Sequence, residues 1–452
     1  MTRIENQYIT VAGGARSGVA VAELLHRKGA YVLVSDAGSL TPEFRKRLEV
    51  ADIRFEEGGH SDAAMKGDFL VVSPGVPDEA SIIREYRSQG KQIVSEIEVA
   101  SWYSQSRIIA VTGSNGKTTV VNWLADVWKR AGRPYLLAGN IGTAFSEVVE
   151  ETSSEKDVIL EVSSFQLDHI DRFRARVAVL LNITPDHLNR YQNQFENYIA
   201  SKMKLPGHQT AEDTLIYGYD DPVVREQTEK LERNSSHPVL LPFSSESDVP
   251  GACLQEGVIR LRTDVYNEEV LPMKQIALPG QHNLRNGLAV ALTARVCEID
   301  SEPIRESLTG FEGVPHRLQK VRKVDGVVWY NDSKATNVNA VWYALTSFDK
   351  PVVLIMGGRD KGNDYSELSP EIRKKVKAIV AIGEGRNAIK TQLDGVAPVI
   401  RFADSMHEAV EKCYRIAEQG DVVLLSPACA SFDMFDSYED RGHRFIQSVL
   451  AL

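Results

Sequence analysis

The chain has 452 residues, of which 43% are hydrophobic and 25% charged, a composition typical of globular proteins and unlike that of disordered or fibrous ones. This length exceeds what one hydrophobic core normally supports, so two or three domains of roughly 100–200 residues are expected. Asp and Glu outnumber Lys and Arg by 62 to 52, and the net charge of −10 argues against nucleic-acid and membrane-surface binding. Anionic ligands must therefore meet local basic groups.

Apolar runs and cysteines exclude two further classes. The opening stretch MTRIENQYIT lacks an apolar segment, and no run approaches about 18 apolar residues, so we expect neither a signal peptide nor a membrane span. A cytoplasmic protein is expected. The four cysteines, Cys253, Cys297, Cys413 and Cys429, are far apart, which predicts small core residues and no disulfide or thiolate metal site.

The N-terminal stretch YITVAGGARSGVAVAELLHRKGAYVLVSD has the pattern of a βαβ unit. It predicts a strand ending at Ala12, a helix over about 17–28 and a second strand ending at Asp36. A dinucleotide fingerprint requires glycine at position 15, but Ala15 stands there, so a dinucleotide is disfavoured. Two interpretations remain: a purely structural turn, or an anion at the helix N-terminus with Asp36 accepting from a ribose or a base.

The stretch VTGSNGKTTVV predicts a phosphate-binding loop between a strand ending at Val111 and a helix. Val111 occupies the place of the usual first glycine, so the loop is a shortened variant. Backbone amides at the helix N-terminus can wrap phosphate oxygens, Lys117 can reach the β- and γ-phosphates, and the Thr118 hydroxyl can bind Mg²⁺. The predicted ATP-binding residues here are Gly113, Ser114, Asn115, Gly116, Lys117, Thr118 and Thr119.

Two more polar positions follow strands of the same unit. Glu161 follows the apolar letters VIL, and Asp186-His187 follow VAVLLN. In a parallel sheet these loops meet the phosphate loop at one edge, where a carboxylate can hold Mg²⁺ and neutral His187 can be a ligand or orient one. The alternative for Glu161 is a solvated strand end.

The segment FENYIASKMKL places Lys202 on the same helix face as Phe195, Tyr198 and Ile199. From spacing alone, the favoured interpretation is a lysine that lays its stem on apolar surface and keeps its ammonium in water. Further along, Gly310, Gly313 and Pro315 indicate a linker. Beyond it, three apolar strands run into the polar loops NDSKATN, GGRDKG and SPACASFD, which predicts a parallel sheet with ligands at its carboxyl edge.

Together these motifs resemble the Mur ligase family, ATP-dependent enzymes that add amino acids to the peptide stem of peptidoglycan precursors. The motifs TGSNGKTT, GNIG, EVSSFQLD, NITPDHL, HR and NDSKATN occur in the family's order over nearly the whole chain. SPGV and SPACASFDMF followed by YEDRG are most similar to the members that add D-glutamate to UDP-N-acetylmuramoyl-L-alanine.

The resemblance implies an α/β fold of three domains. These are a Rossmann-like domain over residues 1–105 that binds the UDP substrate, a central P-loop ATPase-like parallel-sheet domain over 106–312, and a Rossmann-like domain over 313–452 that binds the amino acid. It also implies a monomer with small-molecule substrates, namely UDP-N-acetylmuramoyl-L-alanine, D-glutamate and ATP.

The resemblance also implies roles for individual residues. The expected catalytic residues are Lys117, Glu161, His187 and Lys202, and the expected metal residues for two Mg²⁺ ions are Thr118, Glu161, His187 and Lys202, with Lys202 carbamylated. A carbamate is negative, so it can lie beside Mg²⁺ where an ammonium would be repelled. Further ATP contacts are implied for Asn283, Asn286, Arg317, Asp332 and Lys334. Substrate contacts are implied for Arg16, Ser17, Asp36, Ser73, Asn140, Ser163, Gln166, His187, Thr336, Lys361, Ser431 and Tyr438.

The chain departs from the family pattern at a few positions. Tyr438 stands where some relatives have Phe, and Asn189 where DHLD is commoner. Three rival functions follow from other readings of the same motifs: a family member with another acceptor amino acid, a nicotinamide-dependent oxidoreductase, and a non-catalytic nucleotide switch. Ala15 argues against the oxidoreductase, and Glu161, His187 and Lys202 around the phosphate argue against the switch.

Overall fold

The computed structural model describes residues 4–233, 236–360 and 362–452, without the side chain of Asn339. Within these residues the strands form three sheets of five, nine and six strands. The chain divides into two compact units, one running to Ile276 and including His282–Phe311, the other formed by Ala277–Gln281 and Glu312–Leu452. The fold is thus α/β with one sheet for each of three domains, as the sequence predicts; the domain boundaries stay predictions.

The first sheet is entirely parallel, with the order β3-β2-β1-β4-β5. Its strands are β1 (Tyr8–Ala12), β2 (Tyr31–Ser35), β3 (Arg54–Glu56), β4 (Phe69–Val72) and β5 (Ile93–Ser95). Its helices are α1 (Arg16–Arg27), α2 (Pro42–Val50), α3 (Ser81–Ser88) and α4 (Glu96–Ser101). The predicted βαβ unit is confirmed with shifts of one residue, and Gly29, in the left-handed region at φ 89°, ends α1 where a side chain would be strained.

The second sheet carries the phosphate-binding loop and has the order β14-β13-β12-β11-β10-β9-β6-β8-β7. Its strands are β6 (Arg107–Thr112), β7 (Tyr135–Gly139), β8 (Asp157–Glu161), β9 (Val177–Leu180), β10 (Thr214–Gly218), β11 (Val239–Ser244), β12 (Ala252–Gln255), β13 (Val258–Arg262) and β14 (Asn267–Pro272). Its helices are α5 (Lys117–Arg130), α6 (Phe145–Val148), α7 (Ser164–Leu167), α8 (Phe195–Met203), α9 (Pro222–Glu232), α10 (Gln281–Val296) and α11 (Ser301–Gly310).

The parallel arrangement predicted for the central sheet holds from β7 to β12, but β13 and β14 extend it with antiparallel pairs. Glu256 and Gly257 join β12 to β13 and both have positive φ, at 52° and 76°. A two-residue turn of this kind matches the twist of a hairpin.

The third sheet has the order β15-β16-β20-β17-β18-β19 and is parallel except for its β15 edge. Its strands are β15 (Gln319–Val324), β16 (Val327–Asn331), β17 (Val352–Gly357), β18 (Val376–Ile382), β19 (Ile400–Ala403) and β20 (Val422–Leu425). Its helices are α12 (Val338–Thr346), α13 (Ser369–Lys375), α14 (Arg386–Leu393), α15 (Met406–Ile416) and α16 (Tyr438–Leu450). The three predicted strands before polar loops are β16, β17 and β20, which neighbour one another.

The cores are built from strands that are buried on both faces. Every residue of β8 and of β17 is buried, as expected for the middle of a parallel sheet covered by helices. All four cysteines are buried and free, which confirms the prediction of small core residues. Among the residues that the structure describes, no helix is long and apolar enough to cross a bilayer.

Glu98 connects α4, the last helix of the first sheet, to the segment that precedes β9 of the second sheet. It is fully buried in α4, and its carboxylate accepts hydrogen bonds from the backbone amides of Asp171, Arg172 and Phe173 and from the indole of Trp102, at 2.7–3.0 Å. Hydrogen bonds to a charged group are about twice as strong as neutral ones, and burial keeps water from replacing them.

We predict that Glu98→Gln lowers the free energy of unfolding by about 2–4 kcal/mol. The substitution replaces one carboxylate oxygen by an NH₂ group, which faces N–H donors and accepts no hydrogen bond from them. Urea unfolding followed by circular dichroism measures it. Glu85→Gln, at an exposed carboxylate of α3, is the matched control and is expected to change stability by less than about 0.5 kcal/mol. Equal midpoints for both variants would contradict the anchoring role of Glu98.

Candidate active site

The phosphate-binding loop lies between β6 and α5, as the sequence predicts. Gly116 caps α5 in the left-handed region at φ 88°, and a Cβ there would lie 2.6 Å from the Asn286 side-chain oxygen, so the position needs glycine. The segment after β9 braces the loop, because the Ser114 amide donates to the Asn182 carbonyl at 3.0 Å and the Ser114 hydroxyl to the Thr184 carbonyl at 2.8 Å. The backbone is therefore held in shape by the protein itself.

Two lysines share one carbonyl oxygen of this loop. Lys117 Nζ donates to the Gly113 carbonyl at 2.7 Å and to the Ser114 carbonyl at 3.0 Å, and Lys202 Nζ donates to the Gly113 carbonyl at 2.8 Å. Lys202 is only 1% exposed, so the prediction that its ammonium reaches water is wrong. The face of α8 that carries Lys202 packs against the loop, and Lys202 Nζ lies 4.7 Å from the centre of the Tyr198 ring.

Burial and the neighbouring Lys117 charge both lower the pKa of Lys202, to well below its ordinary value. Desolvation is the larger cause, because an ammonium loses its hydration in this position. A second cation close by adds repulsion. The side chain is thus held in an environment that favours an uncharged amine or a negatively charged derivative of it.

Glu161 ends β8 and pairs with Val111 in the neighbouring strand that leads into the phosphate loop. It is 1% exposed, so the alternative of a solvated strand end is wrong. One carboxylate oxygen accepts from the Asn140 amide at 3.0 Å, whereas Oε2 is buried with no hydrogen-bond partner among the described residues. An orphaned carboxylate oxygen beside a phosphate loop fits a cation ligand.

His187 lies on the segment after β9, with its ring exposed and 5.1 Å from the Phe165 ring. Its Nε2 is 3.6 Å from a carboxylate oxygen of Asp186, and its backbone is left-handed at φ 53°. Thr118 is buried in the first turn of α5. Among the described residues, no three His, Cys, Asp or Glu side chains cluster as a metal site, so the predicted metal residues need phosphate or a modified side chain to complete a ligand set.

A cleft of about 480 Å³ opens at the carboxyl edge of the first sheet. Its lining includes five residues that the resemblance assigns to substrate, namely Arg16, Ser17, Asp36, Ser73 and Asn140. Sequence reasoning missed His60, which also lines the cleft and whose Nδ1 is 2.7 Å from the Ser35 hydroxyl. No motif pointed to that histidine; only folding of the loop after β3 brings it there.

Polar groups shape this cleft before any ligand enters. Asp36 accepts from the backbone amides of Gly14 and Gly38, at 2.6 and 2.8 Å, so its carboxylate fixes the turn before α1. The Arg16 guanidinium donates to the Asn140 carbonyl at 2.8 Å, and its Nε is buried with no hydrogen-bond partner among the described residues. Arg16 and Asn140 therefore bring together the first sheet and the second.

The other predicted residues of the first unit lie on short helices and on α10. Ser163 caps α7 and is hydrogen-bonded to Gln166, whose Nε2 is buried without a partner among the described residues. Asn283 and Asn286 are buried on α10, and the Asn286 amide donates to the Asn283 side-chain oxygen at 3.3 Å. The Asn286 side-chain oxygen lies 2.6 Å from where a Cβ on Gly116 would be, which places this pair beside the phosphate loop.

The second unit gathers its predicted residues in loops after β16 and β20 and at the start of α16. Asp332 is buried, which raises its pKa to about 7, and its carboxylate accepts from the Ser426 hydroxyl at 2.8 Å. Lys334 Nζ lies 3.8 Å from the centre of the Tyr438 ring, an arrangement that holds both side chains. Arg317 precedes β15 in the same unit.

The predicted amino-acid pocket is only partly described. Thr336 is exposed after β16, and Ser431 is 1% exposed after β20 with a hydroxyl that has no partner among the described residues. Lys361 lies outside the described residues. The prediction for Lys361 therefore stays a prediction.

Three family models match the chain. Residues 9–82 match the MurD N-terminal domain, residues 111–294 the Mur ligase middle domain, and residues 316–429 the Mur ligase glutamate ligase domain. A protein of Salinibacter ruber named UDP-N-acetylmuramoylalanine–D-glutamate ligase is 47% identical over 98% of this chain and 97% of its own length. One of Porphyromonas gingivalis with the same name is 43% identical over 98% of each chain.

Solved structures with low sequence identity share the fold. UDP-N-acetylmuramate-alanine ligase MurC from Thermotoga maritima superposes with a TM-score of 0.61 at 18% identity, covering 99% of this chain and 100% of its own. A pseudomurein peptide ligase type C from Methanothermus fervidus gives 0.58 at 17% identity over 98% and 100%. With relatives of 43% and 47% identity over nearly its full length, the chain belongs to the Mur ligase family.

Proposed function

We propose that this chain uses ATP to join the carboxylate of UDP-N-acetylmuramoyl-L-alanine to the amine of D-glutamate, a step of peptidoglycan precursor synthesis. The observation that carries the proposal is the loop at Gly113, whose carbonyl accepts from both Lys117 and Lys202. Glu161, whose Oε2 has no partner among the described residues, ends the strand beside the one that leads into this loop. The names of full-length relatives support the acceptor and the nucleotide-sugar substrate.

In the first step, the substrate carboxylate attacks the γ-phosphorus of ATP, and ADP leaves as the acyl phosphate forms. Two anions approach each other, so the barrier depends on positive charge around the transferring phosphoryl group. Backbone amides at the N-terminus of α5 bind phosphate oxygens. The Lys117 ammonium leaves the carbonyls of Gly113 and Ser114 and binds phosphate oxygens as well. Asn283 and Asn286 are proposed to lie near the adenine, and Arg317, Asp332 and Lys334 are further proposed ATP contacts.

The residues around the loop also fit Mg²⁺. Thr118, Glu161, His187 and a carbamate on Lys202 would hold up to two ions, since the Glu161 Oε2 atom lacks a partner among the described residues. Bound there, Mg²⁺ would neutralise phosphate charge. Lys202 as an ammonium does not suit such a site, because two positive charges repel each other.

We propose that the Lys202 ammonium loses one proton to give the amine, which adds CO₂; an N–C bond forms, one C–O π bond breaks, and a second proton is released, so that a carbamate replaces the ammonium. The amine is buried and lies next to Lys117 at the Gly113 carbonyl, surroundings in which a positive charge is disfavoured. A carbamate oxygen gains attraction from Lys117 where the ammonium meets repulsion.

The nucleotide-sugar substrate is proposed to occupy the cleft of the first sheet. Arg16 and Ser17 at the N-terminus of α1 would bind its diphosphate, while Asp36 and Ser73 shape the walls. Asn140, Ser163, Gln166 and His187 would then face the sugar and alanine part. The Gln166 amide nitrogen, buried and without a partner among the described residues, fits a substrate carbonyl.

In the second step, the amine of D-glutamate attacks the acyl-phosphate carbonyl carbon, inorganic phosphate leaves with the C–O electron pair, and the proton that the amine loses passes to the phosphate. Thr336, Lys361 and Ser431 are proposed to bind the two carboxylates, with Tyr438 beside them. Hydroxyl and ammonium donors suit a dicarboxylate.

We also propose that the protein acts in the cytoplasm as a monomer without nucleic-acid or membrane partners, since one chain supplies every residue named here.

The first test is phosphate release from ATP with UDP-N-acetylmuramoyl-L-alanine and each of D-glutamate, L-glutamate, L-alanine and a diamino acid. We expect release with D-glutamate alone, and a ligated product of matching mass. Release with a different amino acid would reject the acceptor. No release with any of them would reject the ligase proposal in favour of the nucleotide switch.

Lys117→Ala is expected to lower kcat by about 100-fold or more, because it removes a charge that stabilises the transferring phosphoryl group. Lys129→Ala, at an exposed position of the same helix, is the control and should leave kcat unchanged. Steady-state phosphate release measures both. A Lys117→Ala variant with normal kcat would contradict the assigned role.

A carbamate on Lys202 is testable by ¹³C NMR after equilibration with ¹³C-bicarbonate. We expect one slowly exchanging carbamate signal that Lys202→Ala removes, together with a loss of turnover of at least about tenfold. Lys204→Ala is the control, since Lys204 is exposed and donates to the Asp168 carbonyl. The proposal fails if the wild-type protein gives no carbamate signal, or if Lys204→Ala removes it.

A further inference from the structure

Arg441 is a fully buried arginine on α16, within the second unit. Arginine is among the residues least often buried, because removing its charge from water is costly unless the protein compensates. YEDRG contributed to the family resemblance, yet the sequence offered no role for this arginine. The groups around Arg441 indicate a role for it.

The guanidinium bridges two loops at the carboxyl edge of the third sheet. Nε donates to the Ser333 hydroxyl at 2.9 Å and Nη2 to the Ser333 carbonyl at 2.8 Å. Nη1 donates to the carbonyls of Cys429 and Ala430, at 3.0 and 3.3 Å. Ser333 follows β16 and Cys429 follows β20, so one planar fork sets the distance between these loops.

A third loop is attached through the same carbonyl. The Ala430 oxygen also accepts from the Arg359 amide at 2.9 Å, and these two residues form an isolated antiparallel bridge. A Cβ on Gly358 would lie 2.3 Å from that oxygen and 3.1 Å from Arg441 Nη1, so the loop after β17 packs directly on the fork. Two of the loops are thus bonded to the Arg441 fork, and the third is bonded to a carbonyl that the fork also binds.

These loops carry the residues proposed for the acceptor amino acid. Thr336 is three positions beyond Ser333, and Ser431 directly follows Ala430. The Ser431 hydroxyl is buried without a partner among the described residues, as expected of a donor reserved for a ligand.

The acceptors of the Arg441 hydrogen bonds are a hydroxyl and three carbonyl oxygens, none of them a carboxylate. Burial lowers its pKa to about 10, so the side chain is still cationic at neutral pH. The carboxylates of Asp433 and Asp332 lie close enough to raise this pKa, against the larger effect of burial.

We propose that Arg441 is the positioning residue of the acceptor site, because its fork sets the spacing of the loops that carry the residues proposed for the acceptor amino acid. The inference rests on the proposed function. Arg441 acts through Ser333, Cys429 and Ala430 and is not assigned a contact with substrate.

The test compares Arg441→Lys, which keeps the charge but loses the fork, with Arg444→Gln at an exposed arginine of the same helix. For Arg441→Lys we expect KM for D-glutamate to rise on the order of tenfold, since the lost hydrogen bonds are charge-assisted. KM for ATP and for the nucleotide-sugar should stay within about twofold, and Arg444→Gln should match the wild type.

Ser333→Ala gives a milder second variant, which removes the hydroxyl acceptor of Nε and keeps the carbonyl acceptor of Nη2. We expect a rise of a few fold in KM for D-glutamate alone. Circular dichroism identifies the folded variants. An unchanged KM for D-glutamate in a folded variant, or an equal rise of all three KM values, would overturn the positioning role.

The wild-type assay separates this inference from the proposed function. If the wild-type protein does not turn over with D-glutamate, the proposed function and the role that rests on it are both overturned. If the wild type turns over and the variants keep its KM for D-glutamate, only the role of Arg441 is overturned.

Discussion

The carbonyl oxygen of Gly113 accepts hydrogen bonds from the side-chain nitrogens of both Lys117 and Lys202. The proposed chemistry of the second sheet depends on the closeness of these two lysines. Two cations at one neutral oxygen repel each other, and little water reaches the buried one. An uncharged amine or a negatively charged derivative at Lys202 relieves this repulsion, and so does an anion bound to Lys117. The loop is therefore built for anions although the protein as a whole is acidic.

Buried charges organise each sheet of this protein, and each is compensated in a different way. Glu98 is surrounded by backbone amides, so its charge is fully satisfied and serves structure. Arg441 is satisfied by carbonyls but lacks a carboxylate among its hydrogen-bond acceptors, and Glu161 has an oxygen without any partner among the described residues.

Much of the fold and part of the candidate site could be predicted from local pattern. The strand, glycine turn and helix around Lys117 were confirmed, as were the βαβ unit and the strands β16, β17 and β20, because periodicity and turn residues act over a few positions. The prediction from spacing alone that the Lys202 ammonium stays in water was wrong. A helical stripe shows which side chains share a face, but it does not show whether water or a loop covers that face.

Sequence by itself determined the α/β class, the position of the phosphate loop and the family, since short motifs such as TGSNGKTT specify backbone shape and donor type together. Tertiary structure decided which groups lost their water. It buried Lys202 beneath Gly113, left one Glu161 oxygen without a partner among the described residues, and brought Arg441 beneath the loops of Ser333 and Cys429, which are far apart in the chain. The physical reason is that desolvation depends on every neighbour in space, whereas a motif records only neighbours in the chain.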